Sequence, residues 1–188
     1  RSSPDTAVDR RAALLRRDGV ILDTNLQEGV TFIVPEGDYY LTILHRNHLK
    51  VMTAQKVSLP SAIVHNFTDT LNFPVYGNCV IQEGTKLPTM ISGDLSQDGV
   101  LKYSGFGNDR ALVIERIINE TGSTSITTTV AGYFSEDIGM DGVVKYTGNG
   151  NDRALIIQNL IQLTGSTSIT VTFSGCAPDA VFVPIQKK

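Results

Sequence analysis

The sequence predicts a β-rich α+β protein, in which a small N-terminal β-sandwich is followed by two loop–helix repeats. Short β-branched and aromatic runs separated by turn residues fill the first 75 residues, which is typical of sandwich strands. Further along, an Asp- and Gly-rich segment occurs twice, 43 residues apart. Of the 39 aligned positions between residues 94–132 and 137–175, 24 are identical. Such a repeat indicates two copies of one supersecondary unit.

Composition and charge exclude several function classes. The chain has 188 residues, 41% hydrophobic residues and a net charge of −3. This is long enough for one large or two small domains with a real core. The charge offers no basic face for nucleic acid, and no apolar run approaches the roughly 18 residues of a membrane-spanning helix. We therefore expect neither a nucleic-acid partner nor a membrane span. Because the chain opens at Arg1 without Met, we also expect it to be processed from a longer product.

Four regions are predicted along the chain. They are a β-sandwich domain at 1–75, a connector at 76–92, the tandem repeats at 93–131 and 132–175, and a C-terminal extended strand at 176–188. Within the first region, strand-like runs lie at 30–34, 39–44, 57–59 and 62–64, with a tight turn at 35–38. Residues 9–17 also suit a helix, but the following Asp18-Gly19 pair favours a strand and hairpin. Glycines and Pro88 should prevent any regular element in the connector.

Each repeat is predicted to be a polar loop followed by a helix. Apolar periodicity places the helices at 111–118 and 154–163. Asn108 or Asp109 would cap the first helix, and Asn151 or Asp152 the second. Gly122 and Gly165 suit helix ends, and the Ser/Thr/Ile alternation after each indicates a strand or an extended linker.

The repeated loop has the residue pattern of a calcium site. Calcium takes about six to eight oxygen ligands from carboxylates and carbonyls on a tight loop, with a Gly at the sharp turn and a closing acid. Two such sites are therefore predicted. The ligands of the first would be Asp94, Ser96, Asp98, Val100, Asn108 and Asp109, and those of the second Asp137, Gly139, Asp141, Val143, Asn151 and Asp152.

Two departures from an EF-hand loop bear on this prediction. The closing acids Asp109 and Asp152 come about four residues later than an EF-hand would place them. Gly139 has no side-chain oxygen, so a water or a carbonyl must replace that ligand, and Asn108 and Asn151 would compensate. The alternative is that the Asp-Gly pattern merely forms Asx-turns. Two copies that both end in Asn-Asp-Arg-Ala-Leu favour the metal site.

At these residues the sequence resembles the dockerin-like tandem calcium modules of large secreted surface proteins from environmental Gram-negative bacteria. There the pattern G-D-V-N-x-D-G-x-V-K-Y-x-G-x-x-N-D-R recurs twice, and residues 10–23, 34–54 and 66–69 of this chain resemble the β domain that precedes those repeats. The resemblance covers most of the chain, to about Gly175. It implies secretion and calcium bound at Asp94, Asp98, Asp109, Asp137, Asp141 and Asp152, and it does not imply an enzyme. The residue at position 3 of both loops differs from the usual Asn, so equal affinities are not expected.

The same resemblance suggests an assembly. In relatives an apolar strand precedes the equivalent of Arg1, and here it is missing, while residues 181–185 form a spare apolar segment. A sheet that lacks a strand can accept one from a neighbour. We therefore expect a homo-oligomer in which the C-terminal strand of one subunit completes the next, giving a head-to-tail filament. The alternative is that residues 181–185 fold back on their own chain.

Cysteines, histidines and tyrosines are further candidate sites. Cys79 and Cys176 either form one disulfide, worth on the order of 4 kcal/mol, or are two buried thiols. His45 and His48 are expected to point to opposite faces of a strand and to be structural. Tyr103 and Tyr146 should pack each loop on its helix, or stack on a glycan.

The sequence thus predicts a secreted, extracellular or cell-surface, non-enzymatic calcium-binding structural protein, a subunit of an extracellular filament. The alternative is a dockerin-like or carbohydrate-binding accessory module of a larger secreted protein. An enzyme is disfavoured because no coherent set of acid, base and nucleophile is visible.

Overall fold

The computed structural model describes residues 7–16, 18–61, 63–77, 79–84 and 86–176. Its elements are short antiparallel strands and two helices, which confirms the mixed α+β prediction at that level. The strands of these ranges pair two by two, and they close no barrel. The predicted donor strand at 181–185 lies outside the described residues.

The N-terminal region contains three two-stranded ladders. They pair β1 (Ala13–Leu15) with β2 (Ile21–Asp23), β3 (Gly37–Tyr39) with β6 (Val57–Leu59), and β4 (Thr42–Ile43) with β5 (Val51–Met52). The strand and hairpin reading of residues 9–23 is thus confirmed, as is the strand at 57–59. The predicted run at 39–44 is broken between β3 and β4. The layering of these ladders into a sandwich stays a prediction.

Two strand predictions in this region are wrong. Residues 30–34 form no strand, and neither do residues 63 and 64, while Ala62 lies outside the described residues. The side chain of Ile33 is 80% exposed, and its backbone N–H donates to the carboxylate of Asp9 rather than to a neighbouring strand. A β-branched run becomes a strand only where a partner strand takes up its hydrogen bonds, because β propensity is set largely by context.

The connector is more regular than predicted. Strand β7 (Val80–Ile81) pairs with β8 (Thr89–Met90) in a short antiparallel ladder, with Val80 opposite Met90. Of the residues that favoured an irregular connector, Gly84 and Pro88 lie between the two strands, and Gly77 precedes the first of them. They mark the ends of the strands rather than the absence of strands.

The two repeats exchange strands with each other. The first contains β9 (Val100–Lys102), α1 (Asp109–Thr121) and β10 (Thr129–Ala131), and the second β11 (Val143–Lys145), α2 (Asp152–Thr164) and β12 (Thr172–Ser174). Strand β9 pairs antiparallel with β12, and β10 pairs with β11. The strand that follows each helix therefore completes the loop of the other repeat.

The helices confirm the predicted positions and extend them by about one turn. Asn108 and Asn151 are the N-caps, and Gly122 and Gly165 end the helices in the left-handed conformation, with φ of 69° and 67°. Such a conformation costs a residue with a Cβ atom more than it costs glycine. Neither helix is long and apolar enough to cross a membrane, and the same holds for every helix in the described ranges.

One hydrophobic core joins both repeats to the N-terminal region. Matching positions of the two repeats contribute to it, such as Val113 and Ile156, and Ile117 and Leu160, all fully buried. The N-terminal region contributes Leu49, whose N–H donates to the carbonyl of Ile91 over 2.8 Å. Cys79 and Cys176 are disulfide-bonded at the edge of this core, with Cα atoms 5.1 Å apart, which decides between the two alternatives for these cysteines.

Candidate metal centre

The first loop is organised by carboxylates that accept backbone hydrogen bonds. Asp94 is almost fully buried, and its Oδ2 accepts a hydrogen bond from the N–H of Gly99 over 3.1 Å. Asp98 is exposed, and its Oδ1 accepts from the N–H of Val100 over 2.8 Å. The hydroxyl of Ser96 lies 3.5 Å from Asp94 Oδ1. Three of the predicted ligands thus come from one turn that ends at the start of β9.

The second loop repeats this geometry. Asp137 Oδ2 accepts from Gly142 N–H over 2.9 Å, and its Oδ1 accepts from the N–H of Asp141 over 3.1 Å. Met140 has a φ of 54° and its counterpart in the first loop, Gln97, has a φ of 58°. A left-handed backbone at a non-glycine residue costs free energy, so it persists only where the surrounding structure holds it. Its presence at matching positions indicates that both loops are held in one shape.

The closing acids tie each loop to the start of its helix. Asp109 Oδ1 accepts from the N–H groups of Leu95 and Ser96, over 2.9 and 3.1 Å, and its Oδ2 accepts from Lys102 N–H over 2.8 Å. Asp152 makes the three equivalent bonds to Ile138, Gly139 and Lys145, over 2.7, 3.0 and 2.8 Å. A carboxylate has about four acceptor positions, so each of these acids has used three of them. These two residues therefore shape the loops in addition to any role toward a metal.

The two asparagines are placed as helix caps. Asn108 Oδ1 accepts from Ala111 N–H over 3.0 Å, while its Nδ2 donates to the carbonyl of Gly105 over 2.6 Å. Asn151 makes the same pair of bonds to Ala154 and Gly148. The side-chain oxygen that the sequence assigned to the metal is in each case already engaged by the first turn of the helix.

Burial disfavours the charged form of three of these carboxylates. Burial raises the pKa of Asp94 to about 6, assisted by the negative charge of Asp109, and burial likewise raises the pKa of Asp109 to about 6. The pKa of Asp152 is raised for the same reason, although its backbone hydrogen bonds act in the opposite direction. A nearby cation stabilises the charged form of such a buried carboxylate.

The two loops differ in the cations that the protein itself supplies. In the second loop, Arg46 Nη2 lies 4.0 Å from Asp137 Oδ2, and Lys145 Nζ donates to Asp141 Oδ2 over 2.5 Å. None of the ion pairs in the described part of the chain involves Asp94, Asp98 or Asp109. The Lys145 contact was detectable in the sequence as an Asp–Lys pair four residues apart. The Arg46 contact was not, because Arg46 and Asp137 are far apart along the chain.

The donor set suits a hard cation in its chemistry, because Asp94, Asp98, the Ser96 hydroxyl and the Val100 carbonyl are all oxygen donors. The positions of these donor atoms fit a metal site less well than their chemistry does. Among the described residues, no group of three or more His, Cys, Asp or Glu side chains is gathered closely enough to hold a metal ion. Calcium binding therefore stays a prediction.

The expectation that His45 and His48 point to opposite faces of a strand is wrong. Residues 45–48 form a turn, with His48 N–H and the His45 carbonyl 3.5 Å apart. A β-turn brings the side chains at its first and last positions together. The Nδ1 atoms of the two rings consequently lie 2.7 Å apart.

The repeated tyrosines are covered by arginines. The guanidinium carbon of Arg110 lies 4.9 Å from the ring centroid of Tyr103, and Arg153 lies at the same distance from Tyr146. This cation–π stacking ties the loop to the first turn of the helix, and it covers one face of each ring. The arrangement favours the packing role over sugar stacking at these two positions.

Comparisons of the chain with protein-family models, with curated proteins and with solved structures found no match. The dockerin-like resemblance therefore depends on the loop residues themselves, together with the β-domain segments quoted with them.

Proposed function

We propose that this chain is a secreted, non-enzymatic calcium-binding structural protein that assembles head-to-tail into an extracellular filament. One observation carries the calcium part of the proposal. The carboxylates of Asp94 and Asp109 are buried next to each other's charge, and no described ion pair reaches them. A bound divalent ion would supply the missing positive charge. Because the unfolded chain has no such site, binding would also stabilise the fold.

The two sites should differ in affinity. In the second loop Arg46 and Lys145 already balance part of the negative charge, and Gly139 supplies no side-chain oxygen where the first loop has Ser96. A calcium ion entering the second loop must displace or tolerate these cations. We therefore assign the tighter site to the first loop.

Thermal unfolding with and without calcium tests this proposal. We expect millimolar calcium to raise Tm relative to EDTA, and Asp94→Asn to remove more of that increase than Asp137→Asn. Glu36→Gln is a matched control, because Glu36 is an exposed acid outside both loops and should leave the increase unchanged. Identical melting curves in calcium and in EDTA would contradict calcium binding. A larger loss with Asp137→Asn would reverse the order of the two sites.

The filament part of the proposal is supported by open strand edges. The described N-terminal strands form only two-stranded ladders, and the three residues of β1 are all exposed. An unpaired edge is a template for a further strand. We propose that residues 181–185 of a neighbouring subunit fill such an edge and complete the predicted sandwich. The Cys79–Cys176 disulfide supports secretion, since such bonds persist in oxidising compartments.

Light scattering and negative-stain microscopy in calcium test the assembly. We expect filaments from the wild-type chain, and folded monomers from Val183→Asp, because a charge within an apolar donor strand disfavours its burial. Gln186→Asp adds the same charge outside that apolar run and should still form filaments. A monodisperse wild-type monomer would rule out the filament.

A carbohydrate-binding accessory module is the second candidate. The ring of Phe106 at the tip of the first loop is 98% exposed, and an exposed aromatic ring is suited to stacking on a sugar. Binding of the monomer to a glycan array, lost in Phe106→Ala, would favour this function over the filament.

A further inference from the structure

Three donor atoms of different residues converge in the turn at residues 45–48. The Nδ1 atoms of His45 and His48 lie 2.7 Å apart, and the Oδ1 atom of Asn47 lies 3.1 Å from the first and 2.8 Å from the second. The three atoms therefore form a small triangle. Both rings are partly buried, while Asn47 has no exposed surface.

The orientation of the Asn47 amide is determined by its other contact. Its Nδ2 donates to the backbone carbonyl of Asp137 over 2.9 Å. The nitrogen must face that carbonyl, because an oxygen there would place two acceptors against each other. The oxygen of the amide consequently faces the two imidazole rings, and it can only accept hydrogen bonds.

No placement of protons makes all three sides of this triangle hydrogen bonds. If both Nδ1 atoms carry a proton and donate to Asn47, two N–H groups are left in contact with each other. If only one Nδ1 carries a proton, the lone pair of the other ring faces the amide oxygen. At least one side of the triangle is therefore repulsive, whichever tautomers the two histidines adopt.

We propose that this turn binds a divalent transition-metal ion through His45 Nδ1, His48 Nδ1 and Asn47 Oδ1. A cation shared by three lone pairs removes the repulsion that protons cannot remove. Nitrogen and oxygen ligands about 2.0–2.1 Å from a divalent transition-metal ion and at right angles to one another, as in tetragonal or octahedral coordination, lie about 2.9 Å apart. This value falls within the range of the three observed distances. Two imidazoles and an amide suit zinc, copper or nickel rather than calcium. This site uses none of the proposed calcium ligands, although the Asp137 carbonyl of the second loop orients its Asn47 amide.

The surroundings hold the rings in the form that a metal requires. Burial lowers the pKa of His48 to about 3, with a further contribution from His45 and Arg46, and burial also lowers the pKa of His45. Neutral imidazole is the ligand form, so protons compete little with the metal near neutral pH. The positive charge that opposes a metal here is Arg46, and its guanidinium is stacked on Tyr133 at 3.7 Å and lies 4.0 Å from the Asp137 carboxylate.

Calorimetric titration of the full-length protein with zinc chloride tests the proposal. Excess calcium is present throughout, so that the aspartate loops compete little for zinc. We expect one saturable zinc site per chain, and a Kd that rises at least tenfold in His45→Gln and in His48→Gln. The matched control is His65→Gln, the remaining histidine of the sequence, which lies against Phe67 and Phe73 and should bind zinc as the wild type does.

A second measurement covers the case in which a variant does not fold. On the wild-type protein, zinc should shift the NMR resonances of Nδ1 in His45 and His48 and leave those of His65 in place. The proposal is overturned if zinc shows no saturable binding, if the control loses binding as the other two variants do, or if the NMR shifts occur at His65 alone.

Discussion

Asp109 and Asp152 each hold a loop, a strand and a helix start together through three backbone hydrogen bonds. These bonds join protein groups directly, so part of the contribution of these acids to stability should be independent of calcium. Asp109→Asn keeps the shape of the side chain but replaces one acceptor oxygen with an NH₂ group. At least one of the N–H groups of Leu95, Ser96 and Lys102 then loses its partner.

We expect Asp109→Asn to lower the free energy of unfolding by about 1–3 kcal/mol in EDTA, because a buried N–H left without an acceptor costs that much. Urea unfolding followed by circular dichroism measures the change. Glu115→Gln is the control, since Glu115 is an exposed residue of the same helix and its substitution should change stability by less than about 0.5 kcal/mol. Equal stability of wild type and Asp109→Asn in EDTA would show that this carboxylate acts only through a metal.

The raised pKa values of Asp94 and Asp109 make the stability of the metal-free protein depend on pH in a definite direction. Both carboxyls have folded-state pKa values of about 6, above the ordinary value of 3.8. The folded protein therefore binds more protons than the unfolded chain between about pH 4 and pH 6, and stability falls as pH rises through that window. The lowered pKa of His48 acts in the opposite direction below its ordinary value of 6.5, so total stability is a poor readout.

Calcium affinity separates these contributions, because the folded protein keeps His48 neutral between pH 5 and pH 7 with or without calcium. Binding should displace the protons from Asp94 and Asp109. We expect the Kd of the first site to rise by about tenfold between pH 7 and pH 5 for each carboxyl that loses a proton. Calorimetry at both pH values measures this change. A Kd that stays constant between pH 7 and pH 5 would mean that neither carboxyl contributes to the site.

At the scale of elements, each helix depends on a cap that its own sequence supplies. The side chains of Asn108 and Asn151 accept from the N–H three residues later, which satisfies a donor that the helix itself leaves unpaired. We expect Asn108→Ala and Asn151→Ala each to lower the free energy of unfolding by about 0.5–2 kcal/mol in urea titrations. Asn119→Ala replaces an exposed asparagine in the last turn of α1 and should be neutral or slightly stabilising. A loss in Asn119→Ala as large as in the cap variants would show that capping is not the cause.

The exchange of strands makes the two repeats interdependent. Strand β9 of the first loop pairs with β12, and β11 of the second pairs with β10, so neither loop has its full set of neighbours without the other repeat. Side chains reinforce the exchange at matching positions. Ser104 donates to the carbonyl of Ile169 over 2.6 Å, and Thr147 donates to that of Ile126 over 2.8 Å. We therefore infer that the tandem repeats fold as one unit.

At the scale of the whole molecule, the Cys79–Cys176 disulfide encloses both repeats in one covalent loop, with a sequence separation of 97 residues. Closing a loop of this length restricts the unfolded chain and contributes about 4–5 kcal/mol by the chain-entropy estimate. We expect the double variant Cys79→Ser and Cys176→Ser to be destabilised by that order in urea unfolding. Treatment of the wild type with a reducing agent should reproduce the loss, and should leave the double variant unchanged. No difference between oxidised and reduced wild type would contradict the expectation.

The sequence was sufficient for those features that depend on nearby residues. The two helices, their glycine ends and the β1–β2 hairpin were predictable because their hydrogen bonds join residues a few positions apart. For each N-cap the sequence left the asparagine and the following aspartate open, and the structure selects the asparagine. The predicted strand at 30–34 failed for the converse reason. A strand needs a distant partner, and β propensity alone does not supply one.

Within the candidate metal centre, the sequence determined which residues carry oxygen at each loop position and that the pattern occurs twice. Only the tertiary structure decided what those oxygens contact. Several of these contacts join residues that are 12 or more positions apart: the hydrogen bond from Leu95 N–H to Asp109, the ion pair of Arg46 with Asp137, the strand pairs between the repeats, and the disulfide. Local propensity does not determine such contacts, because they form only when packing of the shared core brings separate segments of the chain together.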